Sequence, residues 1–313
     1  MHTQVNESPN IHATPGRLVL SAQDSTAQIV FDLVRGGFKW TSPSGVAVEN
    51  GPELSIYRAM TSNDLGFGGN GAEWTVCMLD WARSSVVNAT WEKKRSDTSH
   101  DVGITVTTEV RVAPPTLTWA IRATLEYTFS LSLSAVSVHV EGDLERRESA
   151  SPHPHVLPRI GLDLKLSKPY NRITWFGKGP GEGYCDKKEA GRIGLYSTTI
   201  DELQIPYEVP QENGSRGEVS WVRLEGEDGI NGAPILEARM EHRPFNLTAR
   251  RHTPQELDRA RHPHELIECD NLLLSLDYAH HGLGSGSCGP PPFEHHRLYT
   301  GFFEFTVDLK LID

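Results

Sequence analysis

Alternating apolar and polar residues dominate several segments of the chain. Around residue 120, one face is apolar at alternate positions: Trp119, Ile121, Ala123, Leu125, Tyr127, Phe129 and Leu131. Arg122, Thr124, Glu126 and Thr128 point the other way. Because successive side chains leave a strand on opposite sides, this period of two predicts a β-strand with one buried and one wet face.

The same alternation recurs in residues 104–112, 136–140, 160–166 and 303–309. Alternating strands belong to antiparallel sandwiches or barrels, whereas parallel sheets have continuously apolar strands. Pro114 and Pro115 interrupt the pattern and predict a hairpin between two strands. We therefore predict an all-β fold, built as one large antiparallel sandwich.

Two short helices are predicted beside the strands. Trp74, Met78 and Trp81 are spaced for one helix packed on a sheet. Residues 254–261 form the second, with Thr253 as N-cap and a proline at the first helical position. The polar segment 1–15 is expected to be mobile, and residues 16–313 are expected to form a single domain.

Composition narrows the class of protein. The chain has 313 residues and a net charge of −11, and it has no Lys/Arg-rich run, so we expect no nucleic-acid partner. No segment approaches the ~20 apolar residues that cross a membrane. The N-terminus lacks the basic and apolar regions of a secretory signal, so a cytoplasmic location is expected. The four cysteines show no CxxC spacing and are expected to be free thiols.

The densest motifs lie in residues 175–196, WFGKGPGEGYCDKKEAGRIGLY, and 206–216, PYEVPQENGSR. A glycosidase generally needs two carboxylates, ~5 Å apart or wider, and Glu182 and Glu212 are candidates for such an acid–base pair. The alternative is that these carboxylates anchor turns, by accepting backbone N–H bonds or by pairing with Arg216 and Lys187. We favour anchoring, because loops rich in glycine and proline need such contacts.

These motifs resemble the small-chain, C-terminal region of glycoside hydrolase family 2 β-galactosidases. Residues 57–66, YRAMTSNDLG, are similar to the family's R-A-x-x-D-N-D-x-G run, although Ser62 stands where Asp is usual. The resemblance leaves the individual roles of the matched residues open. They are Arg58, Asn63, Asp64, Glu182, Tyr184, Asp186, Glu212, Asn213 and Arg216.

Residues 276–290, LDYAHHGLGSGSCGP, resemble the loop that the family's small chain extends toward the sugar site. The resemblance implies a substrate-pocket loop containing His280, Ser285, Gly286, Ser287 and Cys288. Its glycines leave the backbone free to approach a ligand or a partner closely. Some family members carry tryptophan at the position of Cys288 and others cysteine, so this thiol is expected to shape the pocket. A nucleophilic thiolate would need His280 or His281 as its base, and a plain surface loop is a further alternative.

The resemblance implies a galactose mutarotase-like supersandwich and a non-catalytic role. The family's catalytic glutamates lie on a barrel that this chain does not contain, so no catalytic residue is assigned here. A partner catalytic chain or upstream domain would hydrolyse terminal β-D-galactosides such as lactose with retention, and this chain would complete its pocket. No cofactor is assigned to this chain, and any Mg²⁺ or Na⁺ requirement belongs to the partner barrel.

The same residues are also compatible with other functions. The chain could be a stand-alone carbohydrate-binding or mutarotase-like protein, or an epimerase using His280 and Glu212 as acid and base. Zinc sites need three or four convergent ligands, so no metal site is assigned to the histidine pairs. These pairs are His153/His155, His262/His264, His280/His281 and His295/His296.

Overall fold

The computed structural model describes residues 8–23, 25–95, 102–145, 151–226 and 233–312. Their strands are, in chain order, β1 (Asn10–Thr14), β2 (Arg17–Ser21), β3 (Gln28–Asp32), β4 (Phe38–Ser42), β5 (Gly45–Ser55), β6 (Arg83–Arg95), β7 (Val102–Ala113), β8 (Ala120–Phe129), β9 (Ala135–Glu145), β10 (Arg159–Leu166), β11 (Tyr170–Gly179), β12 (Arg192–Thr199), β13 (Arg216–Val219), β14 (Trp221–Gly226), β15 (Ile235–Met240), β16 (Phe245–Arg250), β17 (Leu272–His280) and β18 (Phe303–Ile312). The helices are α1 (Ser62–Leu65), α2 (Gly71–Val76) and α3 (Pro254–Arg259), with 3-10 turns at Leu79–Trp81, Asp201–Leu203, Pro263–Glu265 and Glu294–His296.

The strands form two nine-stranded sheets, and every strand pairing is antiparallel. The first sheet has the order β1-β2-β3-β4-β5-β10-β17-β16-β13, and the second has the order β12-β11-β14-β15-β18-β9-β8-β7-β6. The predicted all-β fold is therefore confirmed, including the hairpin that joins β7 to β8.

The core lies where the inward faces of the two sheets meet. Phe31 and Phe38 of the first sheet pack edge-on against Tyr127 and Phe129 of the second, with ring centroids 4.9 Å apart for Phe31–Tyr127 and 5.3 Å for Phe38–Phe129. Edge-on aromatic pairs contribute about 0.5–1.5 kcal/mol beyond the burial of their area. The alternation of residues 119–129 thus produces the face that holds the sheets together.

The predicted helices are partly confirmed. Thr253 caps α3, since its hydroxyl accepts a hydrogen bond from the Glu256 N–H at 3.1 Å. The single helix predicted through Trp74 and Trp81 is wrong, because Met78 adopts a left-handed φ of 55° and divides it into α2 and a 3-10 turn. Helix α1 was not predicted.

The predicted boundary at residue 16 needs correction. Asn10–Thr14 forms strand β1, which pairs along its length with β2, so the folded sheet begins earlier in the chain. Residues 1–7, the rest of the segment predicted to be mobile, lie outside the described residues.

Candidate functional site

The loop after β17 is held by a carboxylate from the densest motif. Asp186 accepts hydrogen bonds from the backbone N–H groups of Leu283 at 3.0 Å and Gly284 at 2.7 Å. Gly284 has a φ of +63°, a left-handed conformation that favours glycine. Asp186 therefore fixes the start of the loop that contains Cys288.

Asn63 fixes the same loop from the other side. Its side-chain amide donates to the carbonyl oxygen of Gly284 at 3.1 Å. Its side-chain oxygen accepts from both the backbone N–H and the hydroxyl of Ser287, at 3.3 and 2.7 Å. One side chain on α1 thus joins two points of a loop more than 200 residues away.

Two glycine-rich loops pack backbone against backbone at this point. A Cβ added to Gly66 would lie 2.1 Å from the carbonyl oxygen of Gly286, and one added to Gly286 would lie 2.5 Å from the carbonyl oxygen of Asn63. Both distances are far below van der Waals contact, so both positions require glycine. The close approach predicted from these glycines is therefore made with the chain's own second loop.

The tip of the loop faces solvent. Ser285, Ser287 and Cys288 are exposed, while Gly286 is buried against the second loop. The Cys288 backbone N–H donates to the carbonyl oxygen of Ser285 at 3.0 Å, which closes a tight turn. The Cys288 side chain is therefore free to contact another molecule.

His280, which the sequence places in the same pocket loop, is not part of this exposed tip. Its side chain is 1% exposed, and its Nε2 lies 2.6 Å from Asp277 Oδ2. Asp277 also accepts from Arg159 at 2.6 Å, and the imidazole stacks on Tyr184 at 5.9 Å. Burial raises the pKa of Asp277, but Arg159 and His280 outweigh it and hold that pKa below its usual value.

A cysteine nucleophile gains no support from this geometry. His281, the other candidate base, is fully buried and its Nδ1 accepts the Leu298 N–H at 3.1 Å. Within the described part of the chain, no hydrogen bond joins the Cys288 thiol to either histidine. Neither histidine therefore acts as a hydrogen-bonded activating base for this thiol.

Glu182 anchors a turn, as the sequence predicts. One of its carboxylate oxygens accepts from the Gly214 N–H at 2.8 Å, and the other accepts from the Tyr207 hydroxyl at 2.9 Å. Burial, followed by the hydrogen bond to Glu182, raises the pKa of Tyr207 to about 12. The hydroxyl therefore stays protonated and keeps this bond at neutral pH.

Glu212 is buried in a two-point ion pair. Arg250 donates to its two oxygens at 2.9 and 2.6 Å, so the partner of Glu212 is an arginine outside the quoted motifs. Burial alone would lower the pKa of Arg250, but Glu212 raises it above its usual value. With Glu182 and Glu212 both engaged by donors, an acid–base pair made from them is not supported.

The epimerase hypothesis is not supported either, because both of its proposed groups are already hydrogen-bonded. His280 and Glu212 both line a cavity of about 280 Å³, which brings the two proposed groups to one place. However, Arg250 occupies both oxygens of Glu212, and Asp277 holds His280 Nε2. Glu212 therefore has no uncommitted oxygen with which to take a proton.

Asn213 and Arg216 stabilise the chain around this turn. The Asn213 side-chain oxygen accepts the Ile205 N–H at 2.9 Å. Arg216 donates to the Gly214 carbonyl at 3.0 Å and lies 5.4 Å from the centre of the Trp175 ring. Burial lowers the pKa of Arg216.

A second buried ion pair fixes the backbone around Asn63. Arg58 donates to the two oxygens of Asp64 at 2.7 and 3.2 Å, and its guanidinium lies 5.3 Å from the centre of the Trp74 ring. Asp64 also accepts from the Thr61 N–H and hydroxyl, both at 2.7 Å, which completes a capping box at the start of α1. This network fixes the position from which Asn63 reaches the loop.

The structure brings several motif residues to one cavity of about 400 Å³. Its lining includes Asn63, Glu182, Tyr184, Tyr207, Glu212 and Leu283. The exposed tip at 285–288 is absent from this lining and lies beyond Asn63. Sequence reasoning missed Tyr207, Arg159, Asp277 and Arg250. Of these, Tyr207 and Asp277 lie inside the quoted motifs, whereas the two arginines lie on strands outside them.

None of the helices in the described residues is both long enough and apolar enough to cross a membrane. All four cysteines are free, as predicted.

Comparison with known proteins places the chain in a family. Residues 23–309 match the profile of the family described as "Beta galactosidase small chain". The chain is 27% identical to the β-galactosidase of Kluyveromyces lactis over 94% of its own length and 27% of that protein. It is 36% identical to the β-galactosidase of Arthrobacter sp. strain B7 over 77% of its own length and 24% of that protein.

The chain thus spans about a quarter of the length of these curated relatives. Among solved structures, it is similar to the α-galactosidase of Lactobacillus brevis, at 10% identity and a TM-score of 0.42, over 97% of this chain and 40% of that one. It is also similar to a putative aldose 1-epimerase of Escherichia coli K12, at 11% identity and a TM-score of 0.36, over 97% and 98% of the two chains. On the profile match over most of its residues, the chain belongs to the β-galactosidase small-chain family.

Proposed function

We propose that this chain is the non-catalytic small chain of a β-galactosidase and that it completes the substrate pocket of a partner catalytic barrel. The partner, a separate large chain or the preceding part of a longer one, hydrolyses terminal β-D-galactosides such as lactose with retention. The observation that carries the proposal is the exposed Cys288 tip on a loop held by Asp186, Asn63 and the Gly66–Gly69 backbone.

The way in which the loop is held supports a role in shaping a pocket. A binding loop must keep its geometry to contribute to a site, and fixed hydrogen bonds reduce the entropy lost when it binds. Asp186 and Asn63 together make five hydrogen bonds to the loop. The 285–288 tip therefore reaches the partner in a defined conformation.

Large apolar side chains exposed on the same two loops support docking. Phe67 is fully exposed, Phe293 is 73% exposed and Leu65 is 67% exposed. Phe67 and Leu65 flank Gly66, which contacts Gly286 of the loop that contains Cys288. Exposed apolar groups gathered in this way are typical of interaction sites.

The engaged carboxylates support a non-catalytic role. Glu182, Asp186 and Glu212 each hold backbone, tyrosine or arginine donors, and none is left as a free acid or base. The catalytic carboxylates are assigned to the partner barrel, as is any Mg²⁺ or Na⁺ requirement. Four free thiols fit the proposed cytoplasmic location, since reducing compartments keep cysteines unpaired.

The test is reconstitution. Purified chain is assayed on a chromogenic β-galactoside alone and after mixing with the catalytic part of a family β-galactosidase that lacks its small chain. We expect no hydrolysis by the chain alone and activity after mixing, with the β-anomer of galactose released first in a proton NMR time course. Hydrolysis by the chain alone, or no gain on mixing, would reject the proposal.

Cys288 gives a sharper version of the same test. In the reconstituted enzyme, Cys288→Trp supplies an indole face for sugar stacking and is expected to change KM for the galactoside by severalfold. Cys269→Ser is the matched control, because Cys269 lies before β17 and away from the loop. If both variants leave KM unchanged, the thiol is not at the substrate pocket.

A further inference from the structure

A cluster of three exposed side chains lies outside the site described above. His262, His264 and Glu265 occupy the 3-10 turn Pro263–Glu265 and the residue before it, between α3 and β17. Their candidate ligand atoms, two imidazole nitrogens and one carboxylate oxygen, all lie within 4.8 Å of one another. The sequence analysis considered only the two histidines, and Glu265, the next residue in the chain, supplies the third donor.

We propose that His262, His264 and Glu265 form a binding site for one divalent transition-metal ion of the zinc type. Imidazole nitrogen and carboxylate oxygen are the donors that such borderline ions accept, whereas Mg²⁺ prefers oxygen ligands alone. Three protein ligands leave at least one coordination position to water. An open site of this kind binds more weakly than a closed structural zinc site with four protein ligands.

The spacing of the donors is close to what the ion needs. In a tetrahedral site with bonds of about 2.0–2.1 Å, neighbouring ligand atoms lie roughly 3.3 Å apart. His262 Nδ1 and Glu265 Oε1 are already 3.0 Å apart. The two imidazole rings are nearly parallel, at 17°, with their centroids 5.4 Å apart. Small side-chain rotations close the remaining distance, since the His262 side chain is 62% exposed and that of Glu265 is 38% exposed.

A hydrogen bond within the turn also orients the carboxylate of Glu265. Glu265 Oε2 accepts the Arg261 backbone N–H at 2.8 Å, which orients the carboxylate and leaves Oε1 toward His262. On binding, His262 Nδ1 and Glu265 Oε1 exchange the hydrogen bond between them for bonds to the ion, and its proton is released to solvent.

A second exposed histidine pair provides a matched control. The rings of His153 and His155 lie 5.2 Å apart, and Glu73 Oε1 is 3.2 Å from His155 Nδ1. Unlike the first group, these three residues do not present three donors within 4.8 Å. If any histidine pair on an acidic surface binds zinc, the two groups will behave alike. If the three-donor geometry matters, only the His262 group will bind.

The experiment is isothermal titration of the full chain with ZnCl₂ and, separately, with MgCl₂. We expect one zinc ion per chain and no magnesium binding. The double variant His262→Ala/His264→Ala is expected to lose this zinc site, and His153→Ala/His155→Ala is expected to keep it. Every titration is repeated in a Cys288→Ser background, because an exposed thiol also binds zinc.

Glu265→Gln keeps the shape of the side chain and removes its charge. Even a hydrogen-bond partner of a metal ligand contributes about 10- to 100-fold to affinity, so this variant is expected to weaken zinc binding at least about tenfold. Equal unfolding midpoints in EDTA will show that the variants are folded. Zinc titrations that are identical for wild type and His262→Ala/His264→Ala, or lost in the His153/His155 variant, would overturn the proposal.

Discussion

At the scale of residues, the polar and charged side chains of the family motifs act mainly by forming hydrogen bonds to the backbone of neighbouring loops. Asp186 and Asn63 bind the two ends of one loop, and Glu182 binds the turn at Gly214. Buried guanidinium–carboxylate pairs are strongly destabilised when one partner is removed, because the other charge is left unpaired. Neutralising Glu212 alone therefore threatens the fold before it reports on function.

His281 gives a prediction for the dependence of stability on pH. Burial is the main cause, and the positive charge of Arg58 the second, of a fall in the pKa of His281 from 6.5 to about 4. Between these values the unfolded chain binds a proton that the folded chain does not, so the free energy of unfolding falls as pH decreases through this window. The contribution lost between pH 6.5 and pH 4 is about 3 kcal/mol at most.

Urea unfolding across this pH range measures the effect. His281→Gln is expected to be less stable near neutral pH and to lose stability less steeply on acidification. His242→Gln, at a side chain 95% exposed, serves as the control and should keep the wild-type slope. An unchanged slope in His281→Gln would show that other groups govern the acid response.

At the scale of elements, the alternation along the sequence predicted the sheet faces because each strand's own side chains decide which face is buried. The division of the 74–81 helix at Met78 and the pairing of Glu212 with Arg250 were not predictable in this way. Both depend on tertiary contacts. Arg250 reaches Glu212 only because β16 lies beside β13 in the first sheet, and sequence spacing carries no information about that pairing.

The contact between the two glycine loops is itself testable. Gly66→Ala places a methyl group against the Gly286 carbonyl, and overpacking of this kind costs about 1–3 kcal/mol. We expect faster amide hydrogen exchange in residues 283–289 and a loss of activity in the reconstituted enzyme. Gly181→Ala is the matched control, since a Cβ there meets nothing within 4 Å. Wild-type protection of the loop in Gly66→Ala would contradict the packing described above.

At the scale of the whole molecule, the chain is a broad two-sheet scaffold that places its most specialised loops at one location. Residues 58–69, 182–186, 206–216 and 282–289 come from distant parts of the sequence and meet around one cavity and one exposed tip. The profile match covers almost the entire scaffold. The motifs could therefore identify the family, while the contacts among them required the fold.

Docking of the whole chain to its catalytic partner can be tested at the exposed aromatic side chains. Phe67→Ser combined with Phe293→Ser removes two exposed aromatic side chains from the proposed interface. Truncation of anchors at an interface commonly costs more than about 1–2 kcal/mol each, so affinity for the catalytic partner should fall more than about tenfold. Val34→Ser, on the turn between β3 and β4, removes an apolar side chain that is 65% exposed and should leave the affinity unchanged. Equal losses in the two variants would place the interface elsewhere.

The position of β18 has a consequence for biosynthesis. It is the last strand among the described residues, yet it lies in the middle of the second sheet, between β15 and β9. Until it emerges from the ribosome, both neighbours expose unpaired backbone edges of the kind that promote aggregation. A nascent chain halted before Phe303 should therefore depend on chaperones, and cooperative folding should begin only after Phe303–Ile312 has been released.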